Sequence, residues 1–158
     1  AVHGNETRKI VICSDVNYPS NMDRDFPDSL LSKGNLMIDF HYYTPMKFTH
    51  AGVDGRAQGV TFEDCGVNLA AISAKMQEIR EFADRKGVEI IMGEWGAYNP
   101  DYEDKLIYYT AMVEAMKEYN IPWTIWGYTE LYSGYVDGKW DENLLQIYFE
   151  KKAYYTNN

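Results

Sequence analysis

Short apolar runs alternate along the chain with stretches whose apolar residues recur every three or four positions. Lys9-Ile10-Val11-Ile12-Cys13-Ser14, Leu36-Met37-Ile38-Asp39-Phe40-His41-Tyr42, Glu89-Ile90-Ile91-Met92-Gly93-Glu94 and Trp123-Thr124-Ile125-Trp126-Gly127-Tyr128 are the runs. Runs of this length, bounded by Gly, Asn and Pro, suit strands buried on both faces, as in a parallel sheet. Helical spacing predicts a helix opened by Asn68, with Leu69, Ile72, Met76, Ile79 and Ala83 on one face and Gly87 as its stop. Pro100-Asp101 starts a second helix with Tyr102, Leu106, Tyr109, Val113 and Met116 inward, broken at Ile121-Pro122. Asp141 caps a last helix carrying Leu144, Leu145 and Tyr148. Between the first two strands, Pro19, Pro27 and several Asp and Asn leave room only for short helical turns. The stretch from Lys47 to Gly66 reads as a Gly-rich loop, longer than a connector needs.

Strands alternating with helices imply parallel βαβ units with right-handed crossovers. The expected fold is therefore α/β with four parallel strands, either half of a (β/α)8 barrel or a small open sheet, forming one domain over residues 1–158. A dinucleotide-binding fold is disfavoured, because no GxGxxG or phosphate-binding loop follows any strand.

Composition narrows the function. A net charge of −9 and no basic stripe argue against nucleic acid. No run approaches the roughly 20 apolar residues of a membrane span, and no signal-peptide pattern opens the chain, which begins at Ala1. Cys13 and Cys65 form no CxxC pair, so no zinc or redox motif is expected; their pairing in a disulfide stays open. Aromatic residues make up 15% of the chain, with 14 Tyr and 4 Trp, many near strand ends. Rings placed there either pack the core or stack on flat ligand faces such as sugars.

Polar and aromatic residues gather at the C-terminal ends of the strands: Asp15, Asn17, His41, Tyr43, Glu94 and Trp126. In a barrel that end holds the active site. Glu94 closes an apolar run between two glycines, and a buried ionised carboxylate is costly unless it is paired. It thus lines a polar cleft or stands one step past the strand in solvent. Alternation points His41 and Tyr43 to one side and Tyr42 to the other. Taken singly, a solvated Glu, a core His and a core Trp are the commoner explanations of these residues.

In order along the chain, several segments resemble the C-terminal half of glycoside hydrolase family 5, the cellulase family of retaining (β/α)8-barrel enzymes. They are Asn35-Leu36-Met37-Ile38-Asp39-Phe40-His41-Tyr42-Tyr43-Thr44-Pro45, Phe48-Thr49-His50-Ala51-Gly52, Gly93-Glu94-Trp95-Gly96-Ala97-Tyr98, Ile121-Pro122-Trp123-Thr124-Ile125-Trp126-Gly127-Tyr128 and Gly138-Lys139-Trp140-Asp141. The resemblance implies that Glu94 is the nucleophile ending strand seven, attacking as a carboxylate to form a glycosyl-enzyme ester. It implies that His41 and Tyr43 orient the nucleophile and the sugar, and that Trp126 is the sugar-stacking platform after strand eight. Asn17 and Tyr18 align loosely with sugar contacts after strand five, and Trp95 stands where the family more often has Phe, as a packing residue. No metal or cofactor is implied.

The departures carry consequences. A retaining glycosidase needs a second carboxyl about 5–5.5 Å from the nucleophile. The family supplies it from an Asn-Glu-Pro signature ending strand four; Asn5-Glu6-Thr7 lacks the proline and reads as a turn. The expected activity is endo-β-1,4-glucanase chemistry on a β-glucan, weak or absent in this chain alone. Four strands cut from a barrel also leave two bare edges, so a missing N-terminal half-barrel or a second copy of the chain is expected to cover them. In a second-copy arrangement Glu130 would approach the partner's vacant acid position, although a solvated loop acid is its simpler reading. The alternative function is a non-catalytic carbohydrate-binding or self-assembling half-barrel. A polymer substrate implies an extracellular location.

Overall fold

The computed structural model describes residues 10–13, 21–32, 34–127 and 131–149. The elements run β1 (Ile10–Cys13), α1 (Met22–Asp25), α2 (Asp28–Leu31), β2 (Leu36–Tyr42), α3 (Met46–Thr49), α4 (Phe62–Cys65), α5 (Leu69–Lys86), β3 (Glu89–Trp95), α6 (Tyr102–Glu118), β4 (Tyr135–Val136), β5 (Lys139–Trp140) and α7 (Glu142–Tyr148). Strands β1, β2 and β3 form a parallel sheet in that order, and β4 pairs with β5 as a small antiparallel hairpin.

Side-chain alternation on β2 sorts the two faces of the sheet. Leu36, Ile38, Phe40 and Tyr42 are buried under the helices, whereas Met37 and Asp39 on the other face are partly exposed. Val11, the β1 partner of Met37, is 55% exposed. The helical side is packed with rings and methyls. Phe40 meets Phe26 and Phe82 edge-on, and Met92, Met112 and Met116 are fully enclosed.

The long helices form where caps and periodicity agree. The Asn68 side chain accepts from the Ala70 amide, and Gly87 ends α5 at φ 64°, a left-handed turn that glycine takes without strain. Buried Ile72, Met76, Ile79 and Ala83 lie on the expected stripe, to which Phe82 is added, while Leu69 is only partly covered. In α6, Leu106, Tyr109, Val113 and Met116 are buried as expected, but Tyr102 is exposed. It occupies the first turn, where its hydroxyl donates to Asp141 instead of entering the core. Asp141 caps α7, accepting from the Asn143 and Leu144 amides.

Two expectations are corrected. Among the described residues the fourth strand does not form: only an isolated parallel bridge, Met92 to Trp123, joins the 121–127 segment to β3. Met92 donates to Pro122 and Thr124 donates to Met92, as a ladder requires. The next bond then slips, because Trp126 donates to Trp95 and the Thr124 hydroxyl takes the Gly93 carbonyl. The regular repeat stops after one bridge. The second correction concerns residues 47–66, which fold into α3, a 3-10 turn at Val53–Gly55 and α4. Thr61 and Asp64 form a reciprocal capping box on α4. Backbone bonds from Tyr98 to Thr49, Asn99 to Ala51, Gly59 to Asn99 and Asp101 to Val60 sew this stretch to the segment after β3.

Candidate active site

The site depends on one irregularity. Along β3, Ile90 and Met92 face the helices, so strict alternation would send Glu94 into the core and Trp95 to the open face. The register shifts between Phe40 and His41: Phe40 pairs with Met92, but His41 pairs with Glu94. Gly93 is the extra residue. A bulge of this kind turns all later side chains over. Trp95 therefore goes inward, fully buried against Tyr109 and Trp123, and Glu94 comes out on the open face beside His41.

Three residues from two strand ends converge there. The Tyr43 hydroxyl donates to Glu94 Oε2 at 3.2 Å, and His41 Nδ1 lies 3.3 Å from the same oxygen, a close contact short of full hydrogen-bond alignment. The Glu94 side chain keeps 25% of its surface, whereas that of His41 keeps 8%. Burial, reinforced by the neighbouring Glu94 charge, pushes the Tyr43 phenol far above its ordinary range, so it stays a donor. Tyr43 is itself braced. Its carbonyl accepts from the buried Thr49 hydroxyl at 2.8 Å, and its ring meets His50 and Tyr132 edge-on. Thr49 also holds His50 Nδ1 at 2.9 Å, and burial, then the Arg56 charge, lowers the His50 pKa.

Sequence reasoning passed over Asp39. Its Oδ2 lies 3.4 Å from His41 Nε2, and its Oδ1 accepts from the Gly93 amide at 2.8 Å. The signal was present: an acid two residues before His41 and four before Tyr43, in a strand otherwise apolar on that stretch. Of the other expected site residues, Trp126 keeps 44% of its surface exposed, and its backbone amide donates to the Trp95 carbonyl, which holds it next to the end of β3. Asp15, Asn17, Tyr18 and Glu130 lie outside the described residues. Cys65 is a free thiol whose pKa is raised by burial.

The geometry is that of a half-exposed carboxylate held by a phenol and an imidazole at the mouth of a parallel sheet. A family model described as cellulase, glycosyl hydrolase family 5, matches residues 1–130. The chain belongs to that family. Endoglucanase 3 of Fibrobacter succinogenes is 29% identical over 146 residues, covering 70% of this chain and 22% of the relative. Among solved structures, a hyperthermophilic endo-β-1,4-glucanase in complex with substrate has a TM-score of 0.68 at 23% identity, covering 90% of this chain and 48% of that one. Thermotoga maritima Cel5A in complex with cellobiose gives 0.60 at 23%, covering 77% and 44%. The cellulose synthase subunit Z of Clostridioides difficile gives 0.61 at 23%, covering 78% and 46%. The chain thus spans less than half of each of these relatives. Glycoside hydrolase family 5 is built on a (β/α)8 barrel, and the described residues are α/β with a three-stranded parallel sheet.

Proposed function

We propose that this chain carries the nucleophile half of a retaining endo-β-1,4-glucanase. The observation that carries the reading is the convergence of Tyr43 and His41 on Oε2 of Glu94, a carboxylate whose side chain keeps 25% of its surface exposed. In the first displacement Glu94 attacks the anomeric carbon and the glycosidic oxygen leaves. In the second, water cleaves the ester, giving net retention. Tyr43 and His41 orient the carboxylate, and exposed Trp126 supplies an apolar platform for a pyranose ring. That structural neighbours are described in complex with cellobiose and with mannotriose supports a β-linked hexose chain as the ligand. A polymer of this kind is degraded outside the cell, so the working location is extracellular.

The proton for the leaving oxygen comes from a carboxyl on a complementary half-barrel. The same partner covers the open sheet face around Val11 and Met37 and the side of β1 that pairs with no described strand. Light scattering on this chain with and without the partner half tests that part; a stable dimer of this chain alone would instead put a second copy there.

A probe that needs no acid catalyst tests the nucleophile. Dinitrophenyl 2-deoxy-2-fluoro-β-cellobioside carries a leaving group that departs without protonation, and its fluorine slows hydrolysis of the ester. The expected result is one covalent adduct per chain, mapped by peptide mass to Glu94 and absent in Glu94→Gln. Non-covalent oligosaccharide binding with no adduct would favour a carbohydrate-binding role. On an unassisted natural substrate the chain alone should turn over slowly, since general-acid assistance is worth roughly 10²–10⁴-fold.

A further inference from the structure

A cleft of about 300 Å³ opens between the segment after β3 and the stretch that bears the β4–β5 hairpin. Tyr98, Asn99 and Tyr102 line it from the first; Leu131, Lys139 and Trp140 line it from the second. It is separate from the Glu94 site. Its Tyr98 wall meets Tyr132 at 5.2 Å between ring centroids, and Tyr132 meets Tyr43 at 6.1 Å, so these rings stand between the two. We propose that this cleft is a second saccharide site, which holds the apolar face of a β-linked pyranose against Trp140 and Tyr102.

Two large rings are left open here without being loose. Trp140 and Tyr102 are each 42% exposed. The Trp140 ring packs on Tyr135 at 4.8 Å between centroids, while the Tyr102 hydroxyl donates to Asp141 and accepts from the Asn143 amide. The walls are tied as well. Lys105 donates to the carbonyls of Tyr98 and Leu131, one from each side, and the Asp141 amide donates to Gly134. A ligand thus meets a pre-formed surface, and little ordering of the protein opposes binding.

The polar groups left over select the ligand. The Trp140 indole N–H, the Asn99 side-chain amide and the Lys139 ammonium bond to no other described residue. The Asp141 carboxylate, by contrast, is occupied by the Tyr102 hydroxyl and two backbone amides. What remains is rich in donors beside a pair of exposed rings. A pyranose with equatorial hydroxyls offers both matching parts, a flat C–H face for the rings and oxygens at its rim for the donors. A purely apolar ring would leave the donors unpaired on burial, a linear polyol has no flat face, and a polyanion is disfavoured by the net charge of −9. A glucan chain held here and beside Glu94 at once would gain avidity over either contact alone.

The proposal does not require Glu94 to be the nucleophile, and labelling of Glu94 by the fluorinated cellobioside is read independently of it. The chain is labelled with ¹⁵N, and the indole signal of Trp140, assigned through Trp140→Phe, is followed during titration with cellotriose. The titration is repeated in Trp126→Ala, which removes the platform next to the end of β3. The expected result is a saturable shift in both proteins. Asn99→Ala keeps Cβ and both backbone bonds of Asn99, and should weaken that binding several-fold to about tenfold. A flat signal in the parent chain overturns the proposal, even if no variant folds. Unchanged affinity in folded Asn99→Ala, or an equal shift with sorbitol, overturns it too. A flat titration together with a light-scattering mass that changes in Trp140→Ala would assign the cleft to a protein contact instead.

Discussion

The Asp39 carboxylate occupies the space that a side chain at position 93 would fill: a Cβ on Gly93 would lie 2.2 Å from Oδ1 and 2.7 Å from Cγ. Glycine is required here for closeness and not for an unusual backbone angle. Gly93→Ala must push Asp39 aside and break the 2.8 Å bond from its amide. The expected cost is about 1–3 kcal/mol, measured as a fall in the urea midpoint with unchanged slope. Because the clash lies between these two residues, Asp39→Ala in the Gly93→Ala background should cost less than in the parent chain. Additive effects would show that the contact is not what excludes the methyl.

Tyr43→Phe removes the phenol donor and keeps the packing of a ring that is 4% exposed. A hydrogen bond to a charged group contributes about 1.5–3 kcal/mol. The rate of Glu94 labelling by the fluorinated cellobioside should therefore fall by up to about 10- to 100-fold, and the thermal midpoint should fall with it, since the same bond contributes to the fold. A labelling rate equal to the parent's would remove Tyr43 from the support of Glu94.

What was legible in the sequence follows from length and chemistry. The helices α5 and α6 run long enough to repeat their apolar spacing, and Asn68, Gly87 and Asp101 mark their ends chemically. The segments of β2 and β3 declare themselves through apolar runs, and His41, Tyr43 and Glu94 through polar residues closing those runs. The four-residue helices α3 and α4 are too short to show a period, so that stretch read as loop. The bulge at Gly93 was invisible because it is a property of pairing with β2, not of either strand alone. Asp39 escaped for the same reason, since its role depends on a glycine 54 residues away. The 121–127 segment has the composition of a strand, and its pairing with β3 slips by one residue at Gly93, the residue that also bulges against β2.

Trp126 separates binding from folding. Its ring is 44% exposed, so Trp126→Ala should shift stability by no more than about 0.5 kcal/mol. Aromatic stacking beyond simple burial contributes about 0.5–1.5 kcal/mol, which predicts a several-fold to about tenfold loss of affinity for cellooligosaccharides by calorimetry. Glu94→Ala should leave that affinity far less affected. Equal losses in the two variants would argue against a separate stacking platform.

Lys105 gives the fold a pH signature distinct from the site. Its ammonium is buried in α6 and donates to the carbonyls of Tyr98 and Leu131, pinning the segments that flank the candidate site. Burial, only partly opposed by Asp141, lowers its pKa from 10.5 to about 8. Between those values the unfolded chain binds more protons than the native one, so stability must rise with pH, by at most about 1.4 kcal/mol per unit. The buried phenols of Tyr43, Tyr109 and Tyr148 act in the opposite sense: their raised values mean that the unfolded chain loses protons first, so stability falls above about pH 10. The Lys105 contribution is therefore visible from about pH 8 to 10. Urea midpoints across that window should climb in the parent chain and stay flatter in Lys105→Met, which cannot titrate. Parallel slopes in the two proteins would mean that Lys105 is charged throughout, held so by its two carbonyl partners against the cost of burial.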